Sequence, residues 1–249
     1  MILRRVIRHV RNQEWTASGI DFVIVVVGVF VGLQVSNWNE AQADRSREAT
    51  YLQGIGEDLR SDIVEIDEII HVSESRMSAL GVLLDKATGW RPPTGFASSR
   101  GQIEIEEAEP FDGSGPYTIG IELFILSTLD GNRFAYETLI NSDGIGVLQD
   151  KVLVRQIQDY YALVDKAIHF EVSLEENRLR LIDAQQRAGI SPVDEHAVDE
   201  LARLFSEQPP LIAAAKNYWL YANRHLKLMR GLRGDAETLA DEIEQKGSK

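Results

Sequence analysis

Residues Ile20 to Val35 read IDFVIVVVGVFVGLQV, and no other stretch restricts the chain as strongly. Asp21 stands at the entry and Gln34 at the exit, with apolar or small residues between them. Such a surface has to be kept out of water. Wound as a helix, residues 17–38 span about 33 Å, close to a hydrocarbon core of roughly 30 Å. Valine is a mediocre helix former in water. Within lipid every backbone N–H and C=O must bond inside the segment, which leaves a helix as the single-pass form. The competing reading is a buried core element, but the run is long for a strand. We therefore expect a transmembrane helix over 17–38, contacting the lipid bilayer, with Trp15 and Trp38 at the two interfaces.

The flanking charges give a direction. Arg4, Arg5, Arg8 and Arg11 precede the segment, while the chain as a whole carries a net charge of −13. Basic residues are retained on the cytoplasmic side. Residues 1–16 are then a cytoplasmic basic segment, and the domain beyond residue 39 is periplasmic or otherwise extracytoplasmic, held at the inner membrane. Ile2, Leu3, Val6, Ile7 and Val10 share one face of that basic segment. The pattern suits an amphipathic helix lying on the inner leaflet, and equally suits plain topology-setting charge. Ala41-Gln42-Ala43 has the A-x-A form of a signal-peptidase site. Trp38 and Glu40 fall where a cleavage region should be small and extended, so the segment is expected to stay as an anchor. Gly28, Gly32 and Ser36 put small residues on one face, a groove through which two such helices could pack as a homodimer.

A family resemblance enters at Leu33-Gln34-Val35-Ser36-Asn37-Trp38-Asn39-Glu40. This run, followed at once by a charged helix, resembles a bacterial domain-of-unknown-function family of single-pass membrane proteins. A second, less specific match lies at Tyr136-Glu137-Thr138-Leu139-Ile140-Asn141-Ser142-Asp143-Gly144, ahead of a helix reaching Tyr160-Tyr161. Ser36, where the family has asparagine, and Asp143 before Gly144 depart from its pattern. The resemblance implies a membrane-anchored helical protein and no particular reaction.

Beyond the span the fold class reads as mainly α. Leu52, Leu59, Ile66, Ser73 and Leu80 recur every seven residues; Gly56, Ile63, Ile70, Met77 and Leu84 repeat the pattern four residues on. No proline occurs before Pro92, so the membrane helix is expected to run on as a stalk over 39–88. Glu57, Asp58, Asp62, Glu65 and Glu68 are assigned to its solvated faces. Residues 89–118 are a glycine- and proline-rich loop insertion, with a short strand at Gln102–Glu106. Its acids, Glu104, Glu106, Glu107, Glu109 and Asp112, lack the order of a calcium loop and read as a solvated patch.

Residues 119–245 then form an antiparallel helical bundle. A buried helix is expected over 119–130, a short one over Phe134–Ile140, and a turn at Asn141–Gly144. A long helix over 147–187 carries Leu153, Ile157, Tyr160, Val164, Leu174 and Leu181 on one stripe. Ser191 and Pro192 have the chemistry of a helix start, with the end near Ser206. The last helix starts near Pro210, with Leu211, Tyr218, His225, Leu232 and Leu239 in one heptad series.

Chemistry is harder to find. With no cysteine, thiolate metal sites, disulfides and cysteine nucleophiles are excluded. The five histidines, His9, His71, His169, His196 and His225, form no local metal pair. Phosphate loops, nucleophile elbows and dinucleotide fingerprints are missing from the sequence. No cofactor is expected. The acidic balance argues against nucleic acid. Tyr160, Tyr161, Tyr218 and His225 are the candidate lining of a ligand pocket, or else ordinary bundle core. The sequence thus points to a non-enzymatic, membrane-anchored helical protein that binds or scaffolds an unknown membrane or periplasmic protein. A sensor or transport-accessory domain for a small ligand is the second reading, and an enzyme the third.

Overall fold

The structure, a computed structural model, describes residues 14–99, 101–111, 119–142 and 144–247. Among them, α1 runs from Glu14 to Thr88 without a break. A hairpin follows, β1 (Gly95–Ser98) and β2 (Gly101–Glu104), antiparallel with Gly95 opposite Glu104. Then come two short helices, α2 (Ile119–Phe124) and α3 (Phe134–Asn141), and the long α4 (Lys151–Arg187). The last two are α5 (Val198–Ser206) and α6 (Pro209–Gly247). The mainly helical class expected from the heptad stripes is the class observed. The chain divides into two compact units, residues 1–51 and 52–249.

The described part of the first unit is α1 up to Tyr51. Among the described residues it is the helix long and apolar enough to cross a membrane.

In the second unit α1, α4 and α6 form a three-helix bundle. Leu59, Ile66 and Leu80 of α1, Val164, Leu174 and Leu181 of α4, and Tyr218, Leu226 and Met229 of α6 are buried in its core. Helix directions follow from the cross-links. Arg60 pairs with Glu244 at 2.8 Å and Glu74 with Arg230 at 2.6 Å, so α6 runs antiparallel to α1. Gln156 meets Glu242 at 2.8 Å and Glu171 meets His225 at 3.0 Å, so α6 is antiparallel to α4 as well. Asp62 of α1 meets Tyr160 of α4, and α1 and α4 are therefore parallel. Asp150 caps α4 by accepting the Val152 and Leu153 N–H groups at 2.8 and 3.1 Å. It also pairs with Lys246, and these bonds hold its carboxyl down at about 2.

Parallel α1 and α4 require a return connection, and that requirement corrects the helix expected over 119–130. Only Ile119–Phe124 is helical. Arg76 holds the carbonyl of Ile125, while Asp58 holds the N–H of Ala135. Those two anchors on α1 are about 27 Å apart along the helix axis. Residues 125–135 as a helix would cover only about 15 Å, whereas an extended chain covers about 33 Å. The segment is therefore an extended strap running down α1.

Three other boundaries differ from expectation. The helix expected from 147 starts at Lys151, after a 3₁₀ turn at Gly144–Gly146. The one expected from Pro192 starts at Val198. Ser191 and Asp194 bond each other's backbone in a closed turn, and Val193 is exposed, so a helix there would bury nothing. The strand expected to reach Glu106 ends at Glu104, because Glu106 leaves the hairpin to meet Arg230 at 2.7 Å.

Candidate functional site

In the first unit the apolar segment lies bare. Phe22 is 69% exposed, Phe30 60% and Val25 62%. The window around them has none of its surface covered by the rest of the chain. A Cβ at Gly28 or Gly32 would meet nothing within 4 Å, so this face is open to a neighbouring helix or to lipid. Trp38 is exposed at the end of the segment. Trp15 belongs to the first turn of α1, but its side chain lies outside the described residues, as do Arg4, Arg5, Arg8 and Arg11.

In the second unit the polar chemistry gathers where the strap crosses the bundle. An extended segment without a sheet neighbour leaves its N–H groups unpaired. Carboxylates supply the acceptors. Glu65 takes the N–H of Asp130 at 2.6 Å, and Asp62 that of Asn132 at 2.6 Å. Asp58 takes the N–H of Ala135 at 2.8 Å, and Glu171 that of Leu129 at 3.0 and 3.1 Å. Asp58, Asp62 and Glu65 follow i, i+4, i+7 spacing, which puts them on one face of α1. Assigning all of them to solvated faces was therefore mistaken: Asp62 has no exposed surface. Gly131 lets the strap approach closely. Its φ is +71°, and a Cβ there would come within 2.9 Å of Val164.

Asp62 also accepts the phenol O–H of Tyr160 at 2.7 Å. Burial lifts its carboxyl above the ordinary value, with its hydrogen bonds pulling the other way. Burial and the nearby carboxylates push the phenols of Tyr160 and Tyr161 well above theirs. Tyr161 stacks on Tyr136 at 4.1 Å and meets the edge of Tyr160 at 5.2 Å.

One level further along the bundle, four buried polar residues join in a chain. Arg76 donates to Ser73 Oγ at 2.9 Å, and Ser73 Oγ lies 3.2 Å from His225 Nδ1. His225 Nε2 lies 3.0 Å from Glu171 Oε1. The network assigns the protons. Both Glu171 oxygens already accept from the Leu129 N–H, so Glu171 is the acceptor toward His225 and Nε2 carries hydrogen; Nδ1 then accepts from the Ser73 hydroxyl, whose oxygen accepts from Arg76. His225 is neutral, and burial pushes it below its ordinary value while Glu171 pulls it up. The Arg76 guanidinium also faces the Tyr218 ring at 5.6 Å.

Serine, histidine and a carboxylate are the residue types of a nucleophilic triad. Here Ser73 and His225 have no exposed surface, and Arg76 already occupies the serine oxygen. The geometry makes a closed polar core in which Arg76, through its two terminal nitrogens, and Glu171 are hydrogen-bonded, which offsets the cost of burying their charge, while Arg76 Nε is left without a partner among the described residues. Among the described residues no three acidic or histidine side chains gather as a metal site.

The four candidate pocket residues occupy two levels of the bundle. Tyr160 and Tyr161 lie about 16 Å along α4 from Glu171, which marks the level of His225. Tyr161, Tyr218 and His225 are buried among neighbours. Tyr160 edges a small cavity of about 220 Å³ shared with Gln156, Asp235 and Thr238. Of the polar partners, Ser73 stands on the expected Leu52–Leu80 stripe, whereas the sequence singles out neither Arg76 nor Glu171. The signal was the heptad series Ile55, Asp62, Ile69, Arg76, Leu83, two of whose members are charged yet buried.

Residues 21–91 match the model of a family of unknown function, DUF6090. The match takes in the apolar segment from Asp21 on, the motif at Leu33–Glu40 and α1 as far as its end at Thr88. The second motif, at Tyr136–Gly144, lies outside it, as do the strap, α4 and α6. No curated protein and no solved structure matches the chain.

Proposed function

We propose that this chain is a membrane-anchored protein whose helical bundle, on the extracytoplasmic side, binds or scaffolds another component. The observation that carries the reading is the bare apolar surface from Ile20 to Val35. A continuous apolar face of that size is not left in water, and lipid covers it most simply. The arginines at positions 4, 5, 8 and 11 support a cytoplasmic N-terminus. A non-catalytic role fits the closed state of the Ser73–His225–Glu171 network, whose reactive atoms no substrate reaches.

Topology reporters fused after Lys249 test it. Alkaline phosphatase fusions should be active and cytoplasm-only fluorescent fusions dark. The reverse pattern, or a chain that alkaline washing releases from membranes, would overturn the reading.

A further inference from the structure

The antiparallel register of α4 and α6, fixed by Gln156–Glu242 and Glu171–His225, puts Ser173 opposite Arg224 and Leu163 opposite Asp235. Between these levels the two helices and β2 enclose a groove of about 650 Å³. That is within the usual range for small-ligand sites. Its two ends differ. Arg224 and Ser173 line one end, and Leu163 and Leu232 the other together with Lys166 and Asp235, with His169, Phe170, Lys227 and Leu228 between. Ser173 and Leu163 are about 15 Å apart along α4.

The basic end is unusual on a chain of net charge −13. Lys227 is engaged by Glu104 at 3.3 Å. Arg224 and Lys166, which also lines the groove, have no ion-pair partner among the described residues. The Arg224 guanidinium lies over the Phe170 ring at 5.4 Å, which orients it without neutralising it. An oriented, unpaired cation at one end, beside the apolar side chains of Phe170, Leu228 and Leu163, is complementary to an anionic head with an apolar tail.

We propose that this groove binds a single-chain amphiphile with an anionic head, of the fatty carboxylate class. The head meets Arg224, His169 and Ser173, and the chain lies along Leu228, Leu232 and Leu163. All the lining residues belong to residues 52–249, so the proposal goes beyond the membrane-anchor reading and does not depend on it. Gly231 offers a clean way to close the site. It lines the groove within α6, and a Cβ there would meet nothing within 4 Å.

The test uses the full chain in lipid nanodiscs with a photoactivatable diazirine analogue of dodecanoate, followed by peptide mapping. Label should appear on peptides carrying residues 163–173 and 224–232 and be competed by unlabelled dodecanoate. The corresponding neutral alcohol should label them at least about tenfold less, the loss expected for one charge-assisted contact. Gly231→Leu should remove this label while leaving label on residues 20–38 unchanged. Should Gly231→Leu fail to fold, the exposed Arg224→Glu should give the same loss. Label confined to residues 20–38, or equal labelling by the alcohol, would overturn the proposal. So would displacement by a short acidic peptide but not by dodecanoate. A change of oligomeric state in Gly231→Leu with labelling intact would make the groove a contact between copies and overturn it too.

Discussion

Tyr160 donates its phenol hydroxyl to Asp62 at 2.7 Å, joining α4 to α1 through a carboxylate with no exposed surface. The same carboxylate holds the strap at Asn132. Asp62→Ala should therefore destabilise the bundle by about 3 kcal/mol, because it strands buried donors that cost about 1–3 kcal/mol each. Asp62→Asn keeps one carbonyl acceptor, and the tyrosine hydroxyl can turn to accept, so the loss should be about 1 kcal/mol. Chemical denaturation compares the two. The asparagine variant should also change the pH profile. The folded carboxyl is raised, so from about pH 3.8 up to its folded value the native state holds more protons than the unfolded state. Stability falls with rising pH across that window in the parent and should not do so through this site in Asp62→Asn.

His225 gives the opposite slope. Its folded value lies below the ordinary 6.5, so the native ring stays neutral where the unfolded chain takes up a proton. Stability should be full above about pH 6.5 and fall as the pH drops from there toward the folded value, by up to about 1.4 kcal/mol per pH unit. His225→Gln should lose stability at pH 8 and flatten this slope. Thermal unfolding from pH 8 to pH 5 measures both, and an unchanged slope would refute the neutral assignment.

Two glycines should respond oppositely to alanine. Gly131→Ala faces a φ of +71° and a 2.9 Å approach to Val164, and should cost about 2 kcal/mol. Gly231→Ala adds a methyl group in open space within a helix and should stabilise by up to about 1 kcal/mol. Equal effects at the two sites would contradict the backbone conformation described for the strap.

Ser73 should behave as a structural hydroxyl. A fluorophosphonate probe should leave it unlabelled in the folded protein, since Ser73 has no exposed surface. Ser73→Ala should destabilise by about 1–3 kcal/mol by orphaning Arg76 and His225. Labelling at Ser73 would reopen the nucleophile reading.

Gly28, Gly32 and Ser36 are the face through which we expect the apolar segment to self-associate. Cross-linking in membranes should give a dimer band that Gly28→Leu/Gly32→Leu removes, because close helix approach in lipid depends on small residues. A dimer surviving the change would move the contact to the helical bundle, and a parent chain without a dimer band would end the idea.

Helices with a long apolar period were legible from the sequence. α1 ends at the expected residue, Thr88, and α6 begins one residue before its expected start, because heptad stripes and proline punctuation are local signals. The strap was not legible. Residues 119–130 are apolar enough for a buried helix, and what overrides that preference is the distance between Arg76 and Asp58, a tertiary quantity. The same cause hid Asp58, Asp62 and Glu65 as acceptors. On a helical wheel they border an apolar stripe as solvent charges do, and only the strap's unpaired N–H groups give them partners. Arg76 and Glu171 were missed for a related reason. Each balances a polar atom far away in sequence, and no local spacing encodes that.

The pairing of α1 with α6 bears on how the chain is made. The stripe from Leu59 to Leu80 is synthesised well before its antiparallel partner, which begins only at Pro209. Until α6 arrives, α1 and α4 offer each other two sides of a three-sided core, and the third stays uncovered. A nascent chain in this state is a substrate for holding chaperones, and a ribosome stalled before residue 209 leaves a product prone to aggregation. Quality control of this protein would thus turn on α6.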